Sequence, residues 1–160
     1  MAGDHSSTID AVFHGIEWYE SKFNIKVDSV ILLQPTSPIR DSEEILDAVN
    51  VFKKKNLDSL VSVTTMREHP YECITEENAK WSYLVKPSGT QGGRQTYKGN
   101  YYFIDGSFYI AKVDFLKKMK SFVRENESYL YHSKLRYSID IDELEDMMVA
   151  EAIIKLKDIQ

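Results

Sequence analysis

Cysteine is almost absent. Cys73 is the only one in 160 residues, so neither an intrachain disulfide nor a cysteine-built metal site can form. A cytoplasmic setting fits that usage. Nothing near Cys73 in the sequence offers a clear histidine base, which argues against a catalytic thiol. Long apolar runs are missing too, and none approaches the roughly 18 residues of a membrane span. The opening Met1-Ala2-Gly3-Asp4-His5 has neither a basic n-region nor an apolar core, so it does not read as a signal peptide. A soluble protein without a membrane partner is expected. Positive charge is also short: 20 Lys and Arg stand against 25 Asp and Glu, a net charge of -5. A general nucleic-acid binder needs clustered basic residues, so no nucleic-acid partner is expected. A small anionic ligand held by a few local cations stays open. The run Lys53-Lys54-Lys55 falls at a predicted helix end, where cations offset the helix dipole.

What is present is the balance of one globular domain, 42% hydrophobic and 28% charged. Behind the N-cap candidates Asp4 to Thr8, the residues Ile9, Val12, Phe13, Ile16, Tyr19 and Phe23 recur at helical spacing. Val27 to Gln34 reads as a buried strand. Asp41 and Glu44 have capping-box spacing ahead of a second helix, with Ile45, Leu46, Val49 and Phe52 on one face. "LVSVTT", residues 60–65, is a further strand. The order helix, strand, helix, strand predicts an α/β fold with a mostly parallel sheet. Residues 73–85 read as a hairpin turning at Glu76-Glu77-Asn78, and 86–100 as a glycine-rich loop. "YYFIDGSFYIA", residues 101–111, returns to strand, interrupted at Asp105-Gly106. A short helix over 113–119, a last strand over "LRYSIDID" (135–142) and a last helix over 143–157 complete the chain. A parallel α/β domain usually begins with a strand, and here nothing precedes the first helix. The expectation is that the opening of the domain is missing.

Two stretches carry candidate chemistry. In a strand, side chains two apart share a face, so Asp140 and Asp142 of "YSIDIDELEDMM" would point together. Two neighbouring carboxylates repel unless a cation or a proton lies between them, and oxygen ligands of this kind suit Mg²⁺. The plainer alternative has Asp142 capping the last helix and Asp140 solvated. The second stretch is "VILLQPTSPIR", residues 30–40, where a buried strand leaves the core through Gln34, Thr36 and Ser37, stiffened by Pro35 and Pro38. Ligands of open α/β sheets sit where parallel strands end, and a glutamine there can both donate and accept; a satisfied turn residue is the alternative. Arg94, after Gly92-Gly93, could clamp a carboxylate or be an exposed loop arginine. Tyr109 reads as core by default, and His69-Pro70-Tyr71 as a stiff turn. No Ser-His-Asp order, zinc spacing or P-loop is present.

Taken together, "LLQPTSPIR", "DGSFYI" and "SIDIDELEDMMVAE", in this order and spacing, resemble the acylneuraminate cytidylyltransferases, or CMP-sialic acid synthetases. "GDHSSTIDAVFHGIEW" is similar to the helix that precedes the Q-P-T-S-P strand in that family. The resemblance implies a Rossmann-like nucleotide-diphospho-sugar transferase fold over 1–160. A small β-rich insertion, about 66–135, would serve dimerisation and the sugar pocket. It also implies transfer of CMP from CTP to sialic acid or a related nonulosonic acid, with release of pyrophosphate and with Mg²⁺ as cofactor. By position, Asp140 and Asp142 match the family's catalytic metal-binding pair. Gln34, Arg94 and Tyr109 match sugar-contacting residues, and Ser6 and Thr8 fall where the family contacts the pyrimidine. The family's opening strand and its L-A-R-x-G-S-K-x-x-x-K-N motif, which hold the CTP triphosphate, have no counterpart in this chain. In the family that strand lies beside the one at Val27–Gln34. The expected partners beyond the substrates are therefore a second copy or a complementing N-terminal segment. The alternative function is a non-catalytic sugar-binding or assembly fragment.

Overall fold

The computed structural model describes residues 7–86, 99–135 and 138–157. Ser7, rather than the residues before it, caps the first helix, α1 (Thr8–Phe23), in a reciprocal capping box. Ser7 Oγ accepts the Asp10 N–H at 3.2 Å, and Asp10 Oδ2 accepts the Ser7 N–H at 3.3 Å. Asn24, left-handed at φ 52°, ends it. The predicted apolar stripe divides. Ile9, Val12 and Phe13 pack into the core, whereas Tyr19 and Phe23 remain exposed and lean on each other, ring centroids 4.7 Å apart.

The strand β1 (Ser29–Leu32) is shorter than expected, and α2 (Ser42–Lys54) follows it. Asp41 caps α2 by accepting the Glu43 N–H at 2.8 Å. Glu44 does not complete the predicted box. It is buried and accepts from Ser133 Oγ at 3.1 Å and from the Lys134 N–H at 2.6 Å. A buried carboxylate needs donors, and the Ser133 hydroxyl and the Lys134 N–H supply them. β2 (Ser59–Thr65) is followed by a single 3-10 turn at Pro70–Glu72, where His69 Nδ1 accepts the Tyr71 N–H. That is the stiff turn expected of His-Pro-Tyr. β3 (Ile74–Glu77) and β4 (Lys80–Tyr83) form the predicted hairpin, with Asn78 and Ala79 both at positive φ.

β5 (Tyr102–Lys112) runs directly into α3 (Val113–Met119). β6 (Tyr129–His132) was not foreseen, and α4 (Leu144–Lys157) is the last helix. The expected strand at 135–142 is not formed among its described residues. There the Ile141 N–H donates to the Thr36 carbonyl at 2.7 Å, a loop contact instead of a ladder.

The main sheet has the order β1-β5-β2-β6. β1 and β2 are each antiparallel to β5, and β6 is parallel to β2. Three strands therefore share one direction, with β5 reversed between β1 and β2. The fold is α/β as expected, but the sheet is not mostly parallel: two of its three pairings are antiparallel, because β5 returns from the hairpin side instead of through a helical crossover. Alternation along β5 divides the core. Phe108 and Ile110 pack with Ala48 and Phe52 of α2, whereas Tyr109 and Ala111 face α1 and α3. Leu60, Leu116 and Ala111 are wholly buried.

Candidate functional site

The ladder between β2 and β5 breaks once. Val61 pairs with Tyr109 and Val63 with Ile104, so Ser62 alone lies opposite Asp105, Gly106, Ser107 and Phe108. This bulge is the interruption foreseen at Asp105-Gly106. Gly106 sits at φ +72°, where glycine alone is unstrained. It lies directly beneath the turn leaving β1. A Cβ on Gly106 would stand 2.4 Å from Ser37 Oγ and 2.8 Å from Gln34 Oε1. The Q-P-T-S-P turn therefore rests on bare backbone.

Three of the expected residues meet here. Tyr109 Oη donates to Gln34 Oε1 at 3.4 Å. The buried Ser37 donates through Oγ to Asp140 Oδ1, also at 3.4 Å. The Ile141–Thr36 backbone bond ties the Asp140 segment to the same turn. Burial, then the nearby charges of Asp105 and Asp140, push the Tyr109 phenol above its ordinary value. It stays protonated and able to donate at neutral pH.

Asp142 is exposed, as is Asp140. The carboxylate that closes the start of α4 is that of Asp146, which accepts the Asp142 and Glu143 N–H groups at 3.1 and 3.0 Å. Asp142 is thus not the cap of that helix, and its side chain makes no hydrogen bond among the described residues. Strand alternation does not order Asp140 against Asp142, because the strand is not there. Thr8 opens α1 and is exposed, next to Ile9, which packs into the cluster that includes Tyr109. Ser6 and Arg94 lie outside the described residues.

Four further residues build the site; the sequence marked Asp105 and Gly106 only as a strand interruption and did not single out Arg40 or Ser37. Arg40 donates through Nε to the Ser107 carbonyl at 2.8 Å and through Nη2 to the Gln34 carbonyl. Burial lowers its pKa, yet a guanidinium stays charged at neutral pH. Asp105 is buried and accepts from Ser62 Oγ and from the Ser107 N–H, each at 3.0 Å. Gly106 forms the floor and Ser37 a wall. The signals that could have found them are a glycine inside a strand pattern and an arginine just past a proline-stiffened turn. Alongside, at the ends of β2 and β6, a cavity of about 660 Å³ is lined by Thr64, Arg67, Phe103, Ser133 and Ser138 among others. Its lining lies at the C-terminal ends of two parallel strands, where α/β folds place ligands.

No protein-family model matches the chain. It is 33% identical over 157 residues to the CMP-N,N'-diacetyllegionaminic acid synthase of Legionella pneumophila, covering 98% of this chain and 66% of that protein. It is 25% identical over 152 residues to an N-acylneuraminate cytidylyltransferase of Streptococcus agalactiae, covering 92% of this chain and 34% of the relative. The chain spans less than two thirds of the length of either. In fold it is similar to 4-diphosphocytidyl-2C-methyl-D-erythritol synthase from Anaerococcus prevotii, with a TM-score of 0.59 at 14% identity over 94% of this chain and 67% of that one. That likeness is one of fold alone. In sequence the chain is a relative of the acylneuraminate cytidylyltransferases.

Proposed function

We propose that this chain is the sugar-reading part of a cytidylyltransferase that transfers CMP from CTP to a nonulosonic acid of the sialic or legionaminic type. One observation carries the reading: Gln34, Tyr109 and Asp140 converge on the Ser37–Gly106 contact at the end of β1. The names of the relatives support the substrate class. Tyr109, held protonated, occupies Gln34 Oε1 and leaves the Gln34 amide nitrogen to donate to a sugar oxygen. In the reaction the anomeric hydroxyl oxygen bonds to the α-phosphorus of CTP and the bond to the bridging oxygen breaks. Pyrophosphate leaves and the hydroxyl proton passes to solvent.

The donor set fits Mg²⁺. Asp140 and Asp142 are exposed oxygen donors, and this ion takes only one or two carboxylates, filling its shell with water and phosphate oxygens. Among the described residues no group of three or more acidic, histidine or cysteine side chains forms a closed metal cage. Asp140 and Asp142 would hold the ion, which balances charge on the phosphates when bound. Ser37 and the Ile141–Thr36 bond orient the Asp140 end of that pair.

Assembly with a second copy belongs to the same reading. The β3–β4 hairpin leaves Ile74, Trp81 and Leu84 58%, 61% and 67% exposed, and such apolar side chains favour an interface. No helix among the described residues is long and apolar enough to cross a membrane.

The test is pyrophosphate release from CTP and Mg²⁺ with N-acetylneuraminic or N,N'-diacetyllegionaminic acid. It is run on this chain alone and with the CTP-binding N-terminal segment of a relative supplied. Release in the complemented reaction supports the enzyme. Silence in both, with sugar binding intact, would leave the non-catalytic binding fragment.

A further inference from the structure

Pro35 and Pro38 lie in the turn between Gln34 and Arg40, and neither has an N–H to offer. β1 stops at Leu32, paired with Tyr109, so the β5 bulge beyond that pair has no ladder partner for its carbonyls on the β1 side. On the β2 side the bulge is where the ladder breaks. Buried backbone carbonyls need donors from somewhere. Arg40 supplies them. Its Nε serves Ser107 and its Nη2 serves Gln34, joining the two segments that carry the site. The Gln34 carbonyl also accepts the Ser37 N–H at 3.1 Å, so both of its lone pairs are used. Arg40 forms no ion pair among the described residues. A planar guanidinium that spends its fork on two neutral carbonyls acts by geometry rather than by neutralising charge.

We propose that Arg40 is the positioning residue that locks the Gln34 turn onto the β5 bulge, so that Gln34 and Tyr109 form one ligand-reading surface. Its part in sugar recognition rests on the function proposed above; its part as a brace does not. Lysine cannot replace it, because a single ammonium does not reproduce the fixed spacing of the fork.

The experiment compares wild type, Arg40→Lys and Arg40→Ala, the last with and without millimolar guanidinium ion. Amide hydrogen exchange is followed by NMR at Ser37 and Ser107, and affinity for N-acetylneuraminic acid is measured on the same samples. In Arg40→Ala, exchange at both amides should rise by about tenfold, the scale of a lost charge-assisted hydrogen bond. Protection in β2 and α2 should stay near wild type. Guanidinium should restore the two amides, whereas Arg40→Lys should stay impaired at one or both. Sugar affinity should fall by about tenfold in both variants, tracking exchange. Unchanged protection at Ser37 and Ser107 in Arg40→Ala overturns the proposal. So does a uniform loss across the sheet that guanidinium does not reverse. A wild-type chain with no affinity for the sugar removes the proposed function, while the exchange data still decide the brace.

Discussion

β5 is one strand in two environments. Its N-terminal residues Tyr102, Phe103 and Ile104 are 39%, 55% and 42% exposed, whereas Phe108, Ile110 and Ala111 are almost fully buried. Both halves are apolar in sequence. The C-terminal half has β1 on one edge, β2 on the other and helices over both faces. The N-terminal half pairs only with β2. The bulge at Asp105–Phe108 separates them, and the candidate site sits on that boundary. Composition alone therefore does not decide burial; the number of neighbours a segment is given does. The site uses the place where neighbours change, because there backbone and polar side chains can be presented to a ligand without opening the core.

The widest separation between the halves should come from a matched pair of truncations. Phe108→Ala removes a ring packed edge-on against Tyr131 and should cost about 3–5 kcal/mol in urea unfolding. Phe103→Ala should stay within about 0.5 kcal/mol. Equal costs would erase the contrast. Next in size is Gly106→Ala, on the boundary itself. The added Cβ meets Ser37 Oγ in a left-handed backbone position, and a loss of about 2–4 kcal/mol is expected. A neutral result would mean that the turn does not rest on the bulge. Asp105→Ala should cost about 2 kcal/mol, since it leaves Ser62 Oγ and the Ser107 N–H without their acceptor. The Ser62→Ala, Asp105→Ala pair should be less than additive.

The smallest effect is on pH dependence. Tyr109 and Tyr131 both titrate above the ordinary value of 10.0, each chiefly through burial; Tyr131 also donates to Asp47 at 2.7 Å. A raised folded pKa means that the stability each contributes is whole below the unfolded value. It is lost as pH rises through the folded one. Urea midpoints taken at rising alkaline pH should fall for wild type and fall less steeply for Tyr131→Phe. A parallel decline in both would assign the loss to other groups.

Much of this was legible from residue order. The helices over 8–23 and 42–54 follow from caps and apolar spacing, and the hairpin from its turn residues. The glycine inside "IDGSFY" marked the bulge. β6 was not legible, because "SYLYH" is short and takes its place only through its parallel pairing with β2. The strand foreseen at 135–142 failed for the converse reason. Its alternating Ile and Asp fit a ladder, but Thr36 offers the Ile141 N–H a loop carbonyl instead. Of the residues that meet at the turn, Gln34 and Asp140 were legible from residue type and position, and Tyr109 only through the family resemblance. Arg40, Ser37 and Asp105 were not, because their work is with backbone atoms and buried hydroxyls whose positions exist only after folding.

The central claim is that the end of β1 and the β5 bulge together read a nonulosonic acid. Titration of the ¹⁵N-labelled chain with N-acetylneuraminic acid, and separately with N,N'-diacetyllegionaminic acid, tests it most directly. Saturable shifts for at least one of the two sugars, centred on Gln34, Ser37, Gly106 and Tyr109 and lost in Gln34→Ala, are predicted. Shifts confined to other surfaces, or none with either sugar, would contradict it.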